Sequence, residues 1–161
     1  MLSVLREADS EIERYRANPG SVQQTFVTPL KDLRRFLATV LMPFPFERGF
    51  LATDQVVFEP LHLLELLADH TILVEDPWRF RLVVEGKDSI AKLLDAVLRD
   101  CIDFLFVPVP TAFAIYADHD EYITFFAASE TQLVAVTSKI ERAGFEVVPR
   151  YLRPSSGKIW K

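Results

Sequence analysis

Five phenylalanines, Phe104, Phe106, Phe113, Phe125 and Phe126, fall within 23 positions of this chain. A strand sends successive side chains to opposite faces, so the adjacent Phe125 and Phe126 make both faces of the run 122–127 apolar. A sheet with two apolar faces has to be covered on both. Helices from the same part of the chain can cover one face. The other then falls to an N-terminal helical layer, or to a partner or second copy of the chain in a homodimer. With 161 residues, half of them hydrophobic and a quarter charged, the composition suits one folded domain. It excludes disordered, collagen-like and disulfide-scaffold classes.

The expected elements follow from periodicity. Residues 1–17 place Leu2, Leu5, Ile12 and Tyr15 near helical spacing, and Asn18-Pro19-Gly20 supplies a stop. A short extended stretch over 22–27 leads into Thr28-Pro29, an N-cap and first helical position. The stripe Leu30, Leu33, Leu37, Val40 and Leu41 then predicts a second helix to Met42. Pro43 and Pro45, among Phe44, Phe46 and Phe50, read as a loop displaying aromatic surface. A short strand over 55–58 precedes a third helix from Pro60 to Ala68. Runs 71–74 and 79–85 read as paired strands around Glu75-Asp76-Pro77-Trp78.

The later half alternates more clearly. Asp88 or Ser89 caps a helix with Ile90, Leu93, Leu94, Val97, Leu98 and Cys101 on one face. Strands over 112–117 and 122–127 flank a polar turn, Ser129 and Gln132 form a capping box, Gly144 ends the next helix, and 145–151 reads as a last strand. This order, β-α-β-β-α-β over about residues 79–152, is that of a ferredoxin-like α+β sandwich. Phe104-Leu105-Phe106-Val107, broken by Pro108 and Pro110, is an additional edge strand or buried linker. The expected organisation is a single domain: a helix-rich N-terminal layer of about three helices over 1–70, the sandwich over 71–152, and a flexible basic tail over 153–161.

Charge narrows the partners. The net charge is −5, yet Arg150, Arg153, Lys158 and Lys161 fall in the last twelve residues without an acid, which leaves −9 for the first 149. So acidic a body repels phosphate backbones, which disfavours nucleic acid as a partner. No apolar run reaches the roughly 18 residues that cross a bilayer, and the charged N-terminus does not resemble a secretory leader. With Cys101 the single cysteine, a cytoplasmic protein without membrane partners is expected.

Asp118-His119-Asp120-Glu121 is the densest polar cluster, between two apolar strands. Such residues can steer a basic partner, bind a divalent metal, or simply form a solvated turn, since adjacent turn residues point in different directions. His62, Glu65 and Asp69 share a helical face, and His70 and His119 would join them in a metal site only if the fold brought them together. Gly86-Lys87-Asp88-Ser89 opens a helix after a strand, but Arg81 stands where a phosphate-binding loop needs its first glycine. Cys101 reads as core, because Asp100 and Asp103 disfavour a thiolate.

No nucleophile elbow, cysteine zinc pair or dinucleotide fingerprint is present. The leading expectation is therefore a non-enzymatic, acidic protein-binding domain without a cofactor. In its concrete form it is an immunity- or antitoxin-like inhibitor of a basic protein, with Asp118, His119, Asp120 and Glu121 as the partner-binding residues. One alternative is a metal-dependent hydrolase or nuclease using Asp118, His119 and Asp120, with His62 or Glu65 added. A second is a sensor of a small apolar ligand, with its pocket between the sheet and the loop from Phe44 to Phe50.

Overall fold

Buried strands need their backbone hydrogen bonds met by neighbours, and among the described residues the strands join in one antiparallel sheet of eight. A computed structural model describes residues 1–4, 22–27, 32–41, 46–73, 80–109 and 113–153. The strands are β1 (Leu2–Val4), β2 (Gln23–Val27), β3 (Arg48–Val56), β4 (Arg81–Glu85), β5 (Ile102–Val109), β6 (Phe113–Ala117), β7 (Tyr122–Ala127) and β8 (Val147–Val148). The described helices are α1 (Leu33–Leu41), α2 (Leu61–Asp69), α3 (Lys87–Arg99) and α4 (Glu130–Arg142). None of them is long and apolar enough to cross a membrane.

The strand order is β1-β4-β3-β5-β6-β7-β2-β8. β4 and β5 both run antiparallel to β3, so they are parallel to one another and joined across it by α3. β7 and β8 stand in the same relation to β2, joined by α4. The α+β class is as expected, but the strand order differs from the expected ferredoxin-like sandwich. In each split β-α-β unit the middle strand comes from the first 56 residues. Among its described residues that region supplies interior strands to the sheet as well as the helix α1.

Several local expectations change with it. Leu2–Val4, expected in a first helix, pairs with β4 through Leu2 and Val84, and the rest of that expected helix lies outside the described residues. The aromatic segment is expected as a displayed loop; residues 42–45 of it lie outside the described set. Phe46 and Phe50 are buried, and β3 begins at Arg48, seven residues before the expected strand. Residues 71–73 form no strand, and residue 74 is outside the described set. The helix after β4 starts from Gly86 at φ 90°, with no side-chain cap from Asp88 or Ser89. The last strand is two residues long instead of seven.

β5 is the largest change. It lies between β3 and β6, buried along most of its length, although it contains Pro108. Proline lacks an N–H, so a central strand tolerates it only where the ladder does not need one. The registered β5–β6 pairing runs from Phe104 to Phe106 and ends two residues before Pro108, which sits opposite Gly49 on β3.

The two faces carry separate apolar clusters, as the adjacent Phe125 and Phe126 require. Phe125 joins Phe26, Phe104, Phe106 and Phe113 in the larger cluster. All four described helices contribute to it, through residues such as Phe36, Leu63, Leu93 and Ile140. Each fully buried phenylalanine contributes roughly 1.5 to 3 kcal/mol relative to exposure. Phe126 joins Phe50, Ala52, Val83, Leu105, Val107 and Ala114 in the second cluster, made of strand residues alone among those described.

Candidate functional site

The chain between α3 and β5 places two carboxylates three residues apart, and each takes a different histidine. Asp100 ends α3, and its buried side chain crosses to the first turn of α2. Its Oδ2 accepts from the Leu63 N–H at 2.8 Å. Its Oδ1 accepts from the His62 N–H at 3.2 Å and from the His62 ring at 2.6 Å, which assigns the ring proton to Nδ1. Pro60 precedes this turn, and no side chain from the helix's own N-cap serves it. Asp100 is therefore a cap supplied from elsewhere in the chain. It moves a negative charge from the unfavourable C-terminus of α3 to the favourable N-terminus of α2.

Asp103, on β5, does the same for the β6–β7 turn. Its Oδ1 accepts from the His119 N–H at 2.6 Å and from His119 Nδ1 at 2.9 Å. That hydrogen bond is the main reason the His119 imidazole is held above its ordinary pKa, with the Asp103, Asp120 and Asp118 charges adding to it against some desolvation. Asp103 is itself pushed up by burial, which outweighs the opposing pull of His119. Both groups bind protons more tightly folded than unfolded. The stabilisation from His119 is complete below about pH 6.5, the ordinary imidazole value, and is lost as pH rises through its raised folded pKa. The Asp103 shift acts in the same direction at lower pH. His119→Gln should therefore destabilise the protein more at pH 5.5 than at pH 8.5, read from urea midpoints. Equal costs at both would mean that the ring is neutral in the native pair.

The four residues of the polar turn divide into an inner and an outer pair. Asp118 Oδ1 accepts from the Asp120 and Tyr122 N–H groups, a side-chain-stabilised turn, while its Oδ2 accepts from Arg153. With His119 on Asp103, these two expected partner-binding residues are turned toward the body of the protein. Asp120 and Glu121 form the exposed tip; the Asp120 side chain is 73% exposed, and Glu121 adopts φ 64°.

The expected metal residues do not converge. His62 is on Asp100, His70 Nδ1 donates to the Leu66 carbonyl, and among the described residues no group of three His, Cys, Asp or Glu could hold a metal ion. Cys101 is not on the buried stripe of α3. It lies beyond the helix end at φ 51°, half-buried, with its thiol pushed up by burial and by the Glu121 and Asp100 charges. A thiol so placed stays protonated and is a poor nucleophile. Of the loop expected to line an apolar pocket, Phe46 packs edge-on to Phe106 and Phe113, while Phe50 belongs to the opposite cluster. Phe44 lies outside the described residues.

The same end of the sheet carries exposed apolar groups. β3 ends where Val56 pairs with Ile102, next to Asp103, and the chain then presents Val57, Phe58 and Leu61, with Phe58 62% exposed. Glu59 lies exposed between them, and Asp120 and Glu121 stand on the neighbouring turn that Asp103 holds.

The basic tail does not begin at Arg153 as expected. The Arg153 N–H donates to Gln23 Oε1 at 2.8 Å, Gln23 Nε2 donates back to the Arg153 carbonyl at 3.3 Å, and the guanidinium is mostly buried. Residues 154–161 lie outside the described set. Neither this clasp nor the capping role of Asp100 was read from the sequence. The available signal was weak: an aspartate at each border of a helix-to-strand connection, and Thr124 between two apolar residues. No family model, curated protein or solved structure matches this chain.

Proposed function

We propose that this protein is an acidic protein-binding domain that docks a basic partner at the end of the sheet formed by the β3–α2 connection and the β6–β7 turn. Its concrete form is an immunity- or antitoxin-like inhibitor, which binds a basic enzyme and blocks it. The observation that carries this reading is the combination of exposed Val57, Phe58 and Leu61 with exposed Glu59, Asp120 and Glu121 on one end of the molecule. Apolar groups of this kind supply the desolvated anchor of an interface, and Phe58 is the natural one. The acids speed encounter with a positively charged surface and select against acidic competitors.

Within this reading His119 acts as a positioning residue that holds the turn, and Asp120 and Glu121 meet the partner. Basic proteins retained by the wild-type chain are compared with those retained by Asp120→Lys/Glu121→Lys, and any that differ are purified and titrated. The charge reversal should raise Kd about tenfold or more, mainly through a slower on-rate that 0.5 M salt also produces, whereas Phe58→Ala should act mainly on the off-rate. For the inhibitor form, a stoichiometric amount of the chain should abolish the partner's activity. Identical sets retained by wild type and variant would overturn the reading.

A further inference from the structure

The second face of the sheet is apolar over Phe50, Leu105 and Phe126, but it turns polar toward β6, β7 and β2. There Arg153 is gripped on three sides. Its guanidinium carbon lies 3.9 Å from the centroid of the Tyr116 ring, its Nη2 donates to Asp118 Oδ2, and its Nε donates to Thr124 Oγ1 at 3.4 Å. These contacts read three different properties of a guanidinium: its flat face, its charge and the direction of its N–H groups.

Each gripping group is held by the sheet without help from Arg153. The Tyr116 hydroxyl donates to Asp54 Oδ2 at 2.5 Å, and Asp54 is the extra residue of the β-bulge between Thr53 and Gln55. Burial and the Asp54 hydrogen bond keep the Tyr116 phenol protonated well above its ordinary range. Asp118 is fixed by the two N–H groups of its own turn, which leaves Oδ2 directed at the guanidinium. The Thr124 hydroxyl is held by that of Thr25 at 2.8 Å.

We infer that Tyr116, Asp118 and Thr124 form a preorganised guanidinium-binding site, which Arg153 fills in this structure and which an arginine of a basic partner takes in its place. The partner half of this inference rests on the proposed function; the site itself does not. Asp118 opens the turn whose tip carries Asp120 and Glu121, so an arginine entering the site brings its neighbouring cations beside those acids. Arg153 is tethered, and its effective concentration is on the order of millimolar, so a lone arginine competes poorly and the partner needs its other contacts to displace it.

The test is chemical rescue of thermal unfolding with N-ethylguanidinium, using N-ethylammonium as the comparison. Arg153→Ala should melt about 5 °C below wild type. About 10 mM ethylguanidinium should restore at least half of that loss and raise the melting temperature of wild type by less, because the tethered side chain already competes for the wild-type site. Ethylammonium, with the charge but not the plane, should restore far less. No recovery, or equal recovery with both cations, would overturn the inference. If Arg153→Ala does not fold, Arg153→Lys keeps a charge in place, and its Tyr116 ring resonances should shift with ethylguanidinium and not with ethylammonium; unshifted resonances would again overturn it. Asp120→Lys/Glu121→Lys, introduced beside Arg153→Ala, should leave the rescue intact. Loss of the rescue with partner discrimination preserved therefore sinks this inference alone, and the reverse result sinks the proposed function together with the partner half while leaving the guanidinium site.

Discussion

Gly49→Ala is expected to cost about 3 kcal/mol, the upper part of the range for overpacking a buried site. A Cβ at Gly49 would lie 2.5 Å from both Cε2 and Cζ of Phe106 and 3.4 Å from the Val107 carbonyl oxygen. The Phe106 ring cannot swing aside easily, because it is fully buried and packed edge-on against Phe46. The glycine is required here for close approach and not for an unusual backbone angle: the ring on β5 lies across the bare backbone of β3. The urea midpoint should fall by roughly 1.5 to 2 M without a change in slope. In a Phe106→Leu background the same alanine should cost under about 1 kcal/mol, because the two changes share one space. A Gly49→Ala protein as stable as wild type would mean that β3 and β5 are not in this register.

Asp100→Ala should cost about 3 kcal/mol as well, more than an ordinary surface cap, for which about 0.5 to 2 kcal/mol is usual. The carboxylate is almost entirely buried and accepts three hydrogen bonds, one of them from the N–H of the fully buried Leu63. Removing it leaves donors in the interior without an acceptor, and each such group costs about 1 to 3 kcal/mol. Asp100→Asn keeps one acceptor oxygen and should lose about half as much. His62→Ala should lose under about 1 kcal/mol, because the ring is half exposed and the backbone donors to Asp100 remain. Equal losses from Asp100→Ala and His62→Ala in urea titrations would show that the imidazole, and not the helix cap, is the important partner. That outcome would reopen the pair as chemistry.

The elements legible in the sequence were those with one buried face. α4 has its Ser129 cap, whose Oγ accepts from the Gln132 N–H at 3.3 Å, and its Gly144 at φ 84°, both as spacing predicts. The core stripe of α3 is equally clear; β7, buried on both faces, is the exception and is marked by the polar turn before it. β3 was missed because it is buried on both faces near its start, contains Gly49 and is interrupted by a bulge at Asp54, so its period of two is erased. β5 is hard to read as a central strand because it contains Pro108. β1 is three residues long and takes its strand conformation from its pairing with β4, since a segment so short has no periodicity of its own.

For the candidate site the division is similar. The acidic turn was visible as composition, but which of its members face inward was not. Asp118 and His119 are turned in by Arg153 and Asp103, partners 35 and 16 residues away.

The sequence by itself determined the α+β class, the helices with a single apolar stripe, the two apolar sheet faces and the acidic charge, because these depend on spacing along a few turns or on composition. Only the tertiary structure decided the strand order, the Asp100 and Asp103 anchors and the filling of the Tyr116–Asp118 site by Arg153. Each of these depends on which distant segments pair, a choice set by the joint packing of both sheet faces, and no local pattern encodes it.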